Sequence, residues 1–347
     1  MDAIPSQKGA ELTVSYLSLS HKPTAKLAYT FVPSKFTLTS ITEGPPSLPL
    51  IVFLNGLGLP AASFYPAMTL LSSAPIHPAL LAYDRYGQGM STDRDPLDVN
   101  AEDPKHGHTV SDVVYDLHHL IHAICAEYNL NQHNQAPPII FVANSIGCAI
   151  ARVYAASFPD TVSGLLLLDS LLANSDFISV FPTTEELKDG RKKMPEGVTV
   201  EVLNETREKI RRVFHPDQGS AEGLSRKNLK TLLPHSDGPR LVYNDGRAED
   251  NKKNTENGPW VTVAGHGWDK FAEDNLKGMG IPIALSQTYS NPYWHEYNIG
   301  LTNITSLERA RGPILVEKAG HFIQKDDPKF VVEEVKGMLR RMGIVGL

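Results

Sequence analysis

The stretch Ile139-Ile140-Phe141-Val142-Ala143-Asn144-Ser145-Ile146-Gly147-Cys148 decides how the chain is read. Its first five residues are apolar with no polar alternate, the pattern of a short strand buried on both faces. Asn144-Ser145-Ile146-Gly147 follows without a spacer, and Cys148 to Ser157 then reads as a helix ended by Pro159. Strand, serine, helix is the context of a nucleophile elbow, a sharp turn that exposes the serine Oγ at the top of a sheet. Its fingerprint is Gly-x-Ser-x-Gly, and here Ala143 takes the first place and Gly147 the last. Small residues are needed there because the turn brings strand and helix close together.

Outward from this stretch, short apolar runs alternate with segments of helical period, the pattern of an α/β sheet. Leu50 to Leu54, Ala79 to Tyr83, Val162 to Leu168, Trp260 to Ala264 and Pro313 to Val316 are expected to lie parallel with Ile139 to Ala143, covered by helices on both faces. Before them, Leu12 to Leu19 and Lys26 to Val32 read as an antiparallel edge hairpin, and Pro45, Pro46 and Pro49 mark a linker. Val110, Val113, Val114, Leu117, Leu120, Ile121 and Ile124 share a helical face behind Thr109, which suits an N-cap, and predict a helix to Tyr128. On it, His118 and His122 have no HExxH glutamate or third ligand beside them and read as a solvated flank rather than a metal site. A last helix is expected from Asp327-Pro328 to Met342.

From Leu172 to Asn257 charge is dense and glycine and proline interrupt often. Residues 172–257 are therefore read as a helical cap inserted into a core of residues 1–171 and 258–347, with helices over Pro182 to Asp189, Thr199 to Phe214 and Leu224 to Leu233. Because the cap lies between two strands, replacing it with a linker is expected to alter substrate range more than the reactivity of Ser145.

The chain's 347 residues suffice for one large domain or two ordinary ones. With 41% hydrophobic and 21% charged residues it is neither disordered, collagen-like nor a coiled coil. A net charge of −6 offers no basic footprint for nucleic acid or an anionic membrane. The two cysteines, Cys125 and Cys148, form neither a disulfide framework nor a metal spacing. Met1 to Ser20 has no apolar signal core, and no apolar run approaches the roughly 20 residues that span a bilayer. The chain reads as a soluble, cytoplasmic protein with a small-molecule partner and no cofactor or metal. Its oligomeric state is left open.

Two further loops carry chemistry. Asn55-Gly56-Leu57-Gly58 follows the strand Leu50 to Leu54, and the backbone N–H groups of Leu57 and Ile146 are candidates for an oxyanion hole beside Ser145. Ala319-Gly320-His321-Phe322 follows the last strand, where His321 can act as general base toward Ser145. Asp169, at the end of Val162 to Leu168, is assigned as the acid that orients His321, since ligand chemistry collects at the carboxyl ends of strands in open α/β sheets. Asp269, after Gly265-His266-Gly267-Trp268, is the alternative, and Glu296 is a further one. Asn55, Phe64, Asn144 and Trp268 are the expected pocket residues.

With these elements together the chain resembles the α/β-hydrolase family over nearly its whole length apart from the cap. Tyr83-Asp84-Arg85-Tyr86-Gly87-Gln88-Gly89-Met90-Ser91 is similar to that family's Asp-Arg-x-Gly-x-Gly-x-Ser turn after the fourth strand, which the resemblance implies is structural. The chain departs from the family at Asn55, where histidine is common, at Ala143, and in lacking a Gly-x-x-Asp after the seventh strand. The resemblance implies a serine hydrolase acting on an ester, lactone or related carbonyl of a small to medium apolar molecule through a Ser-His-Asp triad. Alternatives on the same apparatus are acyl transfer, thioester cleavage and carbon–carbon bond hydrolysis, and a different class is a non-enzymatic small-molecule receptor. Serine at the elbow argues against haloalkane dehalogenase or epoxide hydrolase chemistry, because those relatives place an aspartate there.

Overall fold

The computed structural model describes residues 11–35, 48–131, 136–244 and 256–344, so the expected Pro45-Pro46 linker lies outside the described residues. Eight strands make one sheet: β1 (Val14–Leu19), β2 (Lys22–Val32), β3 (Leu50–Leu54), β4 (Ala79–Tyr83), β5 (Ile139–Ser145), β6 (Val162–Ser170), β7 (Trp260–His266) and β8 (Ala310–Val316), in spatial order β1-β2-β4-β3-β5-β6-β7-β8. β1 with β2 and β2 with β4 are antiparallel, and the other pairs are parallel. The edge hairpin and the parallel strands are those expected from the sequence.

Alternate residues of the central strands feed two cores. Leu50, Val52 and Leu54 of β3, with Ile139, Phe141 and Ala143 of β5, pack toward α2 (Val110–Glu127) and α3 (Ile146–Ser157). Ile51 and Phe53, with Ile140 and Val142, pack on the opposite side toward α1 (Tyr65–Ser72) and the C-terminal helix Pro328–Arg341. Burial on both faces is why these strands lack polar alternates. Thr109 caps α2 in a capping box with Asp112, whose carboxylate accepts from the Thr109 N–H at 2.7 Å. One reading of α2 changes: His118 stacks on Phe158 at 3.8 Å between ring centroids and hydrogen-bonds the Tyr154 hydroxyl at 3.0 Å, so it is packing rather than a solvated flank.

From β3 the chain crosses to β4 on one side and later returns to β5 on the other, so the order reverses between β3 and β5. A crevice outside their carboxyl ends is the expected ligand site of such a sheet. Residues 172–257, the covering segment, carry α4 (Thr184–Lys188), α5 (Val200–Phe214) and α6 (Leu229–Leu232), and α7 (Trp268–Met279) and α8 (Asn291–Leu301) follow β7. The wall of one cavity draws on both stretches, Ile210 and Phe214 of α5 with Phe271 of α7 and Trp294 of α8. The helix expected over Leu224 to Leu233 is shorter: Leu224–Ser225 instead pairs parallel with His108–Thr109. Gly223, at φ 89°, turns the chain into that pairing, and a Cβ there would stand 2.3 Å from Asp98 Oδ2. Among the described residues no helix is long and apolar enough to cross a membrane.

Candidate active site

Ser145 ends β5 with φ 55° and ψ −121°, a conformation that costs a non-glycine residue about 1–3 kcal/mol and persists only where the surroundings impose it. Here they do. Ser145 is in register with Ser170 of β6, and the Leu171 N–H donates to the Ser145 oxygen at 3.2 Å. A Cβ at Gly147 would stand 2.3 Å from the Leu54 oxygen, so only glycine lets α3 start this close to β3. The Cys148 thiol, buried behind the elbow, donates to the Ala143 oxygen at 3.1 Å, and burial raises it far above the ordinary thiol range, which leaves it inert. The loop after β3 reaches the same point: a Cβ at Gly56 would lie 3.4 Å from Ser145 Cβ. Leu57 follows in that loop, and Ile146 opens α3, where the first amides have no acceptor within the helix.

Asp169, the last residue but one of β6, is wholly buried at φ 43°. Its Oδ2 accepts from His321 Nδ1 at 2.6 Å, and its Oδ1 accepts from His266 Nδ1 at 2.8 Å and from the His266 backbone N–H at 3.2 Å. A carboxylate only accepts, so both imidazoles donate through Nδ1. Burial opposes the charge on Asp169, but the two imidazoles, His266 foremost, outweigh it and bring the carboxyl down to about 2.

With its Nδ1 tied to Asp169, His321 has Nε2 left for proton exchange. Its loop is fastened to the elbow by Asn144, whose Nδ2 donates to the oxygens of His321 at 2.9 Å and Leu168 at 3.0 Å and whose Oδ1 accepts from Gln324 Nε2 at 3.2 Å. The imidazole is 25% exposed, set between the rings of Trp294 and Phe322. It borders a cavity of about 480 Å³ lined by Phe177, Phe181, Phe214, Phe271 and Trp294. The His321 imidazole is thus oriented by a carboxylate, on a loop tied to the residue before the strained serine.

The fold thus joins His321 to Asp169 directly, ties the His321 loop to Asn144 next to Ser145, and brings the loop that carries Leu57 against Ser145 at Gly56. Asp269 is elsewhere: it is exposed in the first turn of α7 and accepts from Gln287 Nε2 at 2.7 Å. None of the four expected pocket residues lines the cavity. Phe64 is core, packed against Phe53 with centroids 5.3 Å apart. Asn55 is buried, its Nδ2 donating to Gln88 Oε1 at 2.8 Å. Asn144 faces the His321 loop, as described, and Trp268 stands edge-on to His295.

A model of the alpha/beta hydrolase family matches residues 51–334. The chain belongs to the alpha/beta hydrolase family. No curated protein matches this alpha/beta hydrolase by sequence. Among solved structures it is similar to a laboratory-evolved variant of potato epoxide hydrolase (14% identity, TM-score 0.56, covering 96% of this chain and 100% of that one). It is also similar to an epoxide hydrolase mutant of Vigna radiata (13%, 0.53, 95% and 99%). A third likeness is to alpha/beta hydrolase domain-containing protein 10 from mouse (15%, 0.51, 95% and 99%). At such identities the likeness is one of fold. Within that fold, sequence reasoning missed His266 as a partner of Asp169, although the strand-end rule that singled out Asp169 applies equally to the last residue of β7. It also missed Trp294, whose Nε1 donates to the Ser170 oxygen at 2.7 Å beside the site and which no local motif marks.

Proposed function

We propose that this alpha/beta hydrolase is a serine hydrolase that cleaves an ester or lactone of a small to medium apolar molecule. The observation that carries the reading is the 2.6 Å bond from His321 to the buried Asp169, on a loop fastened to the strained Ser145 elbow. Ser145 Oγ attacks the carbonyl carbon while His321 Nε2 takes its proton, and the amides of Leu57 and Ile146 receive the developing oxyanion. Collapse breaks the bond to the leaving oxygen, which takes the proton from His321. Water then attacks the acyl-enzyme, again losing its proton to His321, and the second collapse releases the acid and returns the proton to Ser145. Asp169 holds the imidazole in the productive tautomer and stabilises the imidazolium.

The elbow serine separates this reading from epoxide opening. A serine oxygen attacking an epoxide carbon would leave an alkyl ether, which offers water no acyl carbon to attack. On a carbonyl the same oxygen forms an ester, which water cleaves. The aromatic walls of the cavity favour an apolar substrate, and its volume of about 480 Å³ lies within the usual range of small-molecule sites. The ionisable groups at its edge are already engaged, Lys270 with Asp274 at 2.5 Å and Asp326 with the Gly320 amide at 2.8 Å.

A fluorophosphonate probe tests the proposal together with turnover of a panel of p-nitrophenyl esters and lactones. The expected result is stoichiometric labelling of Ser145 and ester hydrolysis, both lost in Ser145→Ala. A folded wild-type protein that takes no label, or takes it and turns over nothing in the panel, overturns the reading and leaves a binding protein.

A further inference from the structure

In the trans peptide unit joining Gly56 to Leu57 the carbonyl and the N–H point in opposite directions, so whatever fixes the Gly56 oxygen also aims the Leu57 N–H. Two side chains fix it. Arg85 Nη2 donates to the Gly56 oxygen at 2.9 Å and Gln88 Nε2 donates to it at 3.0 Å. Arg85 Nη1 also donates to the preceding carbonyl, that of Asn55, at 3.0 Å. Both carbonyls of the loop are thereby held by one guanidinium, on the side of each peptide that faces away from its N–H.

That guanidinium is buried, and a buried charge needs a partner. The partner comes from the covering segment: Glu222 Oε2 accepts from Arg85 Nε at 3.1 Å and Oε1 from Arg85 Nη2 at 3.1 Å, a two-pronged pair between side chains each almost wholly buried. Glu222 is held in place by close backbone packing. A Cβ at Gly87 would stand 3.2 Å from Glu222 Cα, Arg94 Nη1 donates to the Ala221 oxygen, and the His108 N–H donates to the Gly223 oxygen at 3.3 Å.

We propose that Arg85, Gln88 and Glu222 are positioning residues for the oxyanion-binding amide of Leu57, and that through Glu222 the covering segment sets the alignment of that amide. The proposal rests on the reading of Ser145 as an acylated nucleophile. Without Glu222 the guanidinium is an uncompensated buried charge and is drawn toward water, so the Asn55 carbonyl loses its guanidinium donor and the Gly56 carbonyl keeps only Gln88 and the more distant Leu59 N–H at 3.5 Å. The peptide between Gly56 and Leu57 is then free to tilt. Hydrogen bonds to a carbonyl also polarise the amide and strengthen its N–H as a donor. An oxyanion donor acts on the transition state far more than on the bound substrate, so its misalignment lowers the rate of acylation and leaves substrate binding alone.

The test compares wild type, Glu222→Gln, Glu222→Asp and Gln88→Leu, each checked for folding by circular dichroism. Pre-steady-state acylation by a p-nitrophenyl ester is measured, together with inhibition by a trifluoromethyl ketone, which adds to Ser145 and presents an oxyanion, and by the corresponding unreactive alcohol. The expected result for Glu222→Gln and Gln88→Leu is acylation slowed about 10- to 100-fold, with affinity for the ketone falling in parallel, while KM and affinity for the alcohol change by less than about twofold. Glu222→Asp, which keeps the charge, recovers part of the loss. Gln88→Leu disturbs no buried charge and decides the matter if Glu222→Gln does not fold. Acylation within about twofold of wild type in the folded variants overturns the proposal, and so does an equal loss of ketone and alcohol binding, which marks mere support of the pocket. Failure of the nucleophile reading shows separately, as a wild-type enzyme that neither takes the fluorophosphonate nor forms a ketone adduct.

Discussion

Asp169 serves two imidazoles with one carboxylate, and an amide in its place would turn an N–H donor toward one of two other donors. Asp169→Asn is therefore expected to lower kcat by roughly 10² to 10⁴, whereas Asp269→Asn, at an exposed site bonded to Gln287, costs less than about tenfold. Initial rates of both folded variants at one pH decide this, and the reverse ranking moves the acid to the loop after β7. Ser145→Ala is expected to lose about 10⁴ to 10⁶ in kcat with the fold intact. Asp169 also couples folding to pH. Its carboxyl lies at about 2 in the folded protein, below the ordinary 3.8, because the two imidazoles outweigh burial. The stability it contributes, on the order of 2 kcal/mol, is present above its ordinary value and is lost as pH falls through the folded one. Acid titration followed by circular dichroism should show wild type losing stability between about pH 4 and pH 2 more steeply than Asp169→Asn.

At the scale of elements, the elbow depends on how closely α3 approaches β3. Gly147→Ala places a methyl group against the Leu54 oxygen and is expected to destabilise the fold by about 1–3 kcal/mol, read as a lowered Tm, with labelling of Ser145 reduced in the fraction that remains folded. An unchanged Tm would mean that strand and helix part easily. Helix α5 contributes in another way, since its last residue, Phe214, lines the cavity and leans on Phe177 with ring centroids 5.6 Å apart. Phe214→Ala is expected to raise KM for bulky apolar esters by up to about tenfold while leaving kcat for a short-chain ester within about twofold, as a panel of esters of graded size would reveal. Helix α5 forms where the sequence expects one, and the Thr199 side chain accepts from the Val202 N–H to cap it. The stretch from Leu224 was harder, because its apolar residues answer to a neighbouring strand rather than to a helical period.

At the scale of the molecule, the covering segment supplies the carboxylate that pairs with the buried Arg85. The sequence reading expects a linker in place of residues 172–257 to spare Ser145, but that exchange removes Glu222 from the buried Arg85. We therefore expect the shortened protein, where folded, to take fluorophosphonate more slowly than wild type, and equal labelling rates would show that the loop after β3 holds itself. The sheet, the elbow at Ser145 and the loops bearing Leu57 and His321 were legible in the linear chain. Each is a matter of neighbours: two-sided burial removes polar alternates from a strand, and a strained turn demands small residues within two positions of the serine. Other features were decided by residues far apart in the chain. Asp169 meets His321 across 152 positions and His266 across 97, and Arg85 meets Glu222 across 137. Strand order brings the first three together and the docking of the covering segment brings the last pair together, so the strand-end rule prefers Asp169 to Asp269, but no local pattern pairs Asp169 with His266 or names the walls of the cavity. Periodicity and turn chemistry act along the chain and can be read from it, whereas hydrogen bonds between strand ends act across space and exist only once the sheet has set its order.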